Sequence, residues 1–192
     1  MRILDIRRET DFSHINLFSA TYLDKSEKER GWIFASRKSD PAALKNKQTP
    51  DAVVVVPYHV DEDKLVMIRE FRVPLGETQY GFPAGLVDGE ETIEATATRE
   101  LHEETGLTIV RLNQLSPIIY SSSGLTDEAL VLVYVDCAGI PTSLHTNDSE
   151  DIEVVMLSQS QARRLKAHPD ACFDVKSWLI MNTFAETGQI FA

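Results

Sequence analysis

The sequence predicts an α/β chain of the α+β kind: a mixed β-sheet with helices, preceded by a small N-terminal β subregion. Three observations predict it. Short apolar or alternating runs recur from residue 2 to residue 157, one strongly helical segment follows a Gly- and Pro-containing loop, and two more helical segments close the chain. Strands and helices do not alternate strictly, which favours a mixed sheet over a doubly wound parallel one.

Taken in order, residues 2–8, 14–24 and 31–36 are short, loosely alternating and flanked by charge, and read as strands of the N-terminal subregion. The polar stretch from Ser39 to Pro50 reads as a connector, with a boundary near residue 48 separating residues 1–48 from a main domain of residues 49–192. Ala52 to Val56 is a buried-strand run, Asp61-Glu62-Asp63 a turn and Leu65 to Ile68 a second strand, together a hairpin. Residues 73–90 form a loop. Thr92 to Thr105 is a helix with Thr92 as N-cap and Gly106 at the C′ position, where positive φ is needed. Strands follow at Ile109–Tyr120, Ala129–Val135 and Ile152–Leu157, and residues 158–167 and 173–185 read as helices.

Composition narrows the function. The chain has 192 residues, with 30 acids against 19 bases and a net charge of −11. That balance suits a solvated enzyme and not a nucleic-acid binder, whose affinity comes from Lys and Arg on phosphates. An acidic protein can still act on a phosphate substrate if metal ions bridge the two. Cys137 and Cys172 stand far apart without a CxxC pattern, so two reduced thiols are expected. No signal-peptide hydrophobic region and no apolar run of membrane-spanning length is present, which makes a cytoplasmic enzyme with no membrane partner the expectation. His14, His59, His102, His145 and His168 are scattered without ligand spacing. Ser121-Ser122-Ser123 forms no nucleophile elbow, and neither a Walker A nor a GxGxxG sequence occurs.

The chemistry concentrates between Gly85 and Leu107. On a helix Glu100 and Glu104 lie one turn apart with Glu103 beside them, so three carboxylates fall within roughly 100° of arc. Such a cluster repels itself and needs a cation. Arg99 can supply one charge, and a hard divalent ion with oxygen ligands suits the set better, Mg²⁺ above all. Ala97 and Leu101 occupy the adjacent face, which can pack on a sheet.

The full string from Gly85 to Leu107, with Glu91, Arg99, Glu100, Leu101, Glu103, Glu104 and Gly106 in register, matches G-x5-E-x7-R-E-U-x-E-E-x-G-U, U being apolar, at every defined position. At average residue usage a chance match is well below ~10⁻⁶. The sequence thus resembles the Nudix hydrolases. The resemblance implies the Nudix fold, a mixed sheet sandwiched between helices. It also implies hydrolysis of a nucleoside diphosphate linked to another moiety, with Mg²⁺, or Mn²⁺ as a substitute, polarising the diphosphate. By that analogy Gly85 through its carbonyl, Glu100, Glu103 and Glu104 are metal ligands, and Arg99 and Glu91 brace the loop and orient the glutamates.

Three further segments resemble the ADP-ribose and nucleoside-diphosphate-sugar pyrophosphatases within that superfamily. They are Glu70-Phe71-Arg72 with Phe82-Pro83-Ala84-Gly85, then Trp32 with Arg37, and the loop Ser122-Ser123-Gly124-Leu125-Thr126-Asp127-Glu128. They imply Glu128 as general base, joining Glu103 and Arg99 among the catalytic candidates. Trp32, Arg37 and Arg72 become substrate-binding candidates, by stacking on a nucleobase and clamping phosphates. In that group the N-terminal strands build a homodimer, the role expected of residues 1–48. Gly81, Ile33 and Ser123 depart from the group's pattern and leave the substrate open. The expectation is ADP-ribose, cleaved to AMP and ribose 5-phosphate, or an NDP-sugar. Alternatives are a nucleoside triphosphate or dinucleoside polyphosphate hydrolase, and a non-catalytic module that senses ADP-ribose.

Overall fold

The computed structural model describes residues 1–39, 49–144 and 151–191. The boundary at residue 48, most of the connector and His145 lie outside them. The chain forms two compact units, one of residues 1–52 with 118–130 and one of residues 53–117 with 131–192.

In the smaller unit β1 (Arg2–Arg8), β2 (Asn16–Leu23) and β3 (Glu29–Ser36) form an antiparallel sheet in the order β1-β2-β3. The register pairs Phe18 with Phe34 and Ala20 with Trp32. Directly opposed residues share a face, so Phe18, Ala20, Trp32 and Phe34 make one apolar surface, with the two Phe rings stacked at 5.8 Å.

The larger unit is built on β4 (Ala52–His59), β5 (Lys64–Arg72), β8 (Thr108–Leu115), β10 (Ala129–Ala138) and β11 (Ile152–Leu157), in the order β11-β5-β4-β10-β8. Val53 to Val56 and Leu65 to Ile68 are all buried. Successive strand residues point to opposite faces, so both faces of these central strands are covered, whereas β8 at the edge is mostly exposed. Helix α1 (Ile93–Thr105) packs against β8 and β11, and α2 (Gln159–Lys166) packs against β11 and α3 (Val175–Thr187). Phe184 of α3 meets Tyr58 of β4 edge-on at 6.2 Å. The result is the mixed sheet with helices that the sequence predicts. Among the described residues no helix is long and apolar enough to cross a membrane.

Two elements differ from the sequence reading. The expected loop at 73–90 contains β6 (Glu77–Gly81), paired antiparallel with β5, and β7 (Ala84–Leu86), paired with β4. Gly76, at φ +67°, closes the tight turn that folds β6 back. The backbone there pairs with β5 and β4 just beyond a tight turn, so no strong side-chain pattern announces it. Second, the run 109–120 is broken into β8 and the two-residue β9 (Ile119–Tyr120). Pro117 stands at the break, where it has no N–H to donate to a ladder.

Both cysteines are free thiols, Cys137 buried and Cys172 half-buried. Burial pushes the Cys137 thiol up to about 12, which makes it a packed, inert group.

Candidate functional site

The predicted residues fall into two sets, one in each unit. The first is built on α1. Thr92 caps the helix, its hydroxyl accepting from the Ala95 N–H at 3.2 Å. Gly106, at φ +69°, ends it and donates to the His102 carbonyl at 2.8 Å. Ala97 and Leu101 are fully buried and fix the helix on its apolar side. That leaves Glu100 and Glu104, at 8% and 7% exposure, as carboxylates at the helix's buried edge, while Glu103 is half-exposed.

Gly85, in the middle of β7, lies directly against Glu100. A Cβ at position 85 would sit 1.7 Å from Glu100 Oε1, so only glycine leaves room for this carboxylate. The requirement is space, since the φ of Gly85 is not positive.

Arg99 organises the rest. Its Nη1 donates to Glu100 Oε1 at 2.7 Å and to Glu103 Oε2 at 3.2 Å. Its Nε and Nη2 grip Glu91 at 3.1 and 3.0 Å, and Nη2 also reaches the Leu86 carbonyl at 3.2 Å. One guanidinium therefore ties the segment between β7 and α1 to two of the three glutamates. The hydrogen bond from Arg99 chiefly, with help from the Thr96 hydroxyl at 3.0 Å, holds the Glu91 carboxyl below its ordinary value against the opposing effect of burial. Arg99 in turn is held firmly protonated, Glu91 being the main cause. Thr96 carries no chemical signature in the sequence beyond helix propensity, and only the fold brings its hydroxyl to Glu91.

As the side chains stand, no three His, Cys, Asp or Glu among the described residues are arranged to hold a metal ion. Arg99 lies between Glu100 and Glu103 and serves as their internal cation. The donor set nevertheless suits a hard divalent ion: three carboxylates on one helix end, with Glu100 seated against the backbone of Gly85 in a cradle that a Cβ would fill.

Arg72, at the end of β5, pairs with Glu70 at 2.7 Å and is partly exposed. His59 is buried, with Nε2 2.9 Å from the Gly139 carbonyl and Nδ1 accepting the Glu62 N–H at 3.3 Å, a structural arrangement.

The second set belongs to the smaller unit. Trp32 is half-exposed on β3, and its indole N–H donates to the Gly124 carbonyl at 3.2 Å. Arg37 Nε stands 3.4 Å from Glu128 Oε1. Lys38, which belongs to no motif in the sequence, pairs with Asp51 at 3.4 Å and Asp127 at 3.3 Å. An open cavity of about 990 Å³ in this unit is lined by Tyr22, Trp32, Phe34, Lys38, Tyr120 and Asp127 among others. It is mostly apolar, with an ammonium and a carboxylate on its wall, and its size is that of small-molecule sites.

Comparison with known proteins places this geometry. The family model described as NUDIX domain matches residues 48–175. An ADP-ribose pyrophosphatase of Bacillus subtilis is 34% identical over 117 residues, covering 60% of this chain and 62% of that protein. The ADP compounds hydrolase NudE of Escherichia coli K12 is 30% identical over 137 residues, covering 67% of this chain and 72% of that one. The chain spans about three-fifths of the length of several curated relatives it matches. A crystal structure of an ADP compounds hydrolase superposes with a TM-score of 0.73 at 20% identity, over 98% of this chain and 96% of that one, a likeness of fold. With the family model spanning two thirds of the chain and its glutamate helix folded around Arg99 and Gly85, this chain belongs to the Nudix family.

Proposed function

We propose that the chain is a metal-dependent pyrophosphatase. Its substrate is a nucleoside diphosphate linked to another moiety, ADP-ribose or an NDP-sugar, with ADP-ribose giving AMP and ribose 5-phosphate. The observation that carries the reading is Glu100: a carboxylate at 8% exposure, set against a glycine backbone and sharing one guanidinium with Glu103. A purely structural helix end has no use for that density of buried charge.

Glu100, Glu103, Glu104 and the Gly85 carbonyl would hold Mg²⁺, with Mn²⁺ as a substitute, which when bound polarises the diphosphate and lowers the pKa of water. Arg99 holds Glu100 and Glu103 in place through its grip on Glu91. In the reaction, water adds to a phosphorus as the bridging P–O bond breaks, and Glu128 takes the proton of that water. Arg37, now paired with Glu128, and Arg72 bind phosphate oxygens in the proposed complex. Trp32 stacks on the nucleobase, a role supported by its half-exposed ring on the cavity wall. We assign residues 1–48 to a homodimer contact, and the free thiols favour the cytoplasm.

The test is a phosphate-release panel with Mg²⁺ across ADP-ribose, ADP-glucose, GDP-mannose, UDP-glucose, NADH and dATP. Turnover of a nucleotide sugar, largely lost in Glu104→Gln, is expected. Fastest turnover of dATP would move the substrate to nucleoside triphosphates. Tight ADP-ribose binding with no product from any compound would convert the reading to a sensor.

A further inference from the structure

The loop that ends in Glu128 is fastened at a point away from Glu128 itself. Asp51 makes two hydrogen bonds to the residue that follows it: the Asp51 N–H donates to the Ala129 carbonyl at 2.7 Å, and Asp51 Oδ2 accepts the Ala129 N–H at 2.8 Å. The same Oδ2 lies 3.4 Å from Lys38 Nζ, and that Nζ lies 3.3 Å from Oδ2 of Asp127, the residue that precedes Glu128. Both neighbours of Glu128 are thus held by one ammonium, through Asp127 directly and through Asp51 on Ala129.

On the β3 side the register is consecutive. Arg37 meets Glu128 and Lys38 meets Asp127, two successive cations on two successive anions. Further back along the loop, the Ala35 N–H donates to the Leu125 carbonyl at 2.8 Å, and the Thr126 hydroxyl accepts the Glu128 N–H at 3.2 Å.

We propose that Lys38 is a positioning residue for Glu128, a clamp whose charge keeps Asp51 and Asp127 together and so fixes the backbone on both sides of the carboxylate. The inference rests on the reading of Glu128 as general base. The physical argument is one of balance. Asp51 and Asp127 each have an oxygen within 3.4 Å of the same nitrogen, and their side chains are only 18% and 14% exposed. Without the ammonium, two poorly solvated like charges face each other. Asp51 is anchored by its bonds to Ala129, so Asp127 is the partner that moves, and Glu128 moves with it. Burial pulls the Lys38 ammonium down, yet the two carboxylates outweigh it and keep it above its ordinary value, so the clamp stays charged at neutral pH.

The experiment compares Lys38→Met, Lys38→Arg and Glu128→Gln in the full chain, with ADP-ribose and Mg²⁺, and follows hydrogen exchange of residues 121–130 in each. Lys38→Met is expected to lose about 10- to 100-fold in kcat with KM changed by less than about threefold, as for a base displaced by about an ångström. Amide exchange at Glu128, whose N–H the Thr126 hydroxyl accepts, is expected to quicken by about tenfold or more. Lys38→Arg is expected to recover most of the lost kcat. An unchanged kcat in Lys38→Met beside an impaired Glu128→Gln would overturn the clamp. Full activity in Glu128→Gln would remove the base reading instead, and exchange at the Glu128 amide in Lys38→Met would then decide the clamp by itself: quickened supports it, unchanged refutes it. If Lys38→Met does not fold, Lys38→Gln carries the same comparison, because it also removes the ammonium between Asp51 and Asp127 and leaves both carboxylates in place.

Discussion

Replacing Gly85 by alanine separates the chemistry of the glutamate helix from its stability. The added Cβ would lie 1.7 Å from Oε1, 2.1 Å from Cδ and 2.6 Å from Oε2 of Glu100, all at the far end of one flexible side chain. Glu100 must retreat by at least about 1.3 Å to reach the shortest separation that packed atoms tolerate. Moving one carboxylate to a strained rotamer, and loosening its partly exposed pair with Arg99, costs about 1–2 kcal/mol. For a chain of this size that lowers Tm by about 2–8 °C. The consequence for a metal ligand is larger: a displacement of about 1 Å is expected to cost about 100-fold in turnover. The assay pairs thermal unfolding with Mg²⁺-dependent turnover of the best substrate in the panel and with calorimetric Mg²⁺ titration. Gly89→Ala is the control. Gly89 has φ +56°, and a Cβ there would meet nothing within 4 Å, so its variant is expected to lose stability by backbone strain and to keep turnover. If Gly85→Ala binds Mg²⁺ and turns over within about threefold of wild type, Glu100 does not act from this position and the reasoning fails.

Three further outcomes are expected. Glu91 has its carboxyl held below its ordinary value of 4.5, so its contribution to stability is fully present above that value and is lost as pH falls through the lower folded value; urea unfolding of metal-free protein between pH 6 and about pH 3 should show an acid loss that Glu91→Gln reduces, and equal slopes in the two proteins would refute it. Leu101→Ala, which empties a fully buried position on the sheet side of α1, should destabilise by about 2–5 kcal/mol in urea; a smaller loss would mean that α1 is not anchored there. Trp32→Ala should raise KM for ADP-ribose more than it lowers kcat, with Trp32→Phe intermediate because it keeps the ring and loses the bond to Gly124; unchanged KM in both would take the nucleobase away from Trp32.

What the sequence determined by itself is the local and periodic part. The helical period places Glu100, Glu103 and Glu104 on one arc, Ala97 and Leu101 on the next, and Thr92 and Gly106 at the ends, because one turn of helix is a property of a dozen consecutive residues. The apolar runs of β4 and β5 were legible for the same reason, whereas β6 and β7 were not, since their pairing comes from a turn and from backbone bonds to β5 and β4. The tertiary structure alone decided which distant groups meet. The sequence offered Arg99 as one positive charge and, by resemblance, Glu91 as its brace; the fold supplies the geometry, with Arg99 gripping Glu91 and Glu100 at once and Glu100 lying where a Cβ at position 85 would fall. It also brought Asp51 and Asp127 onto Lys38, three residues with no spacing pattern between them. Such meetings depend on chain segments closing across dozens of residues, and no window of sequence carries that distance.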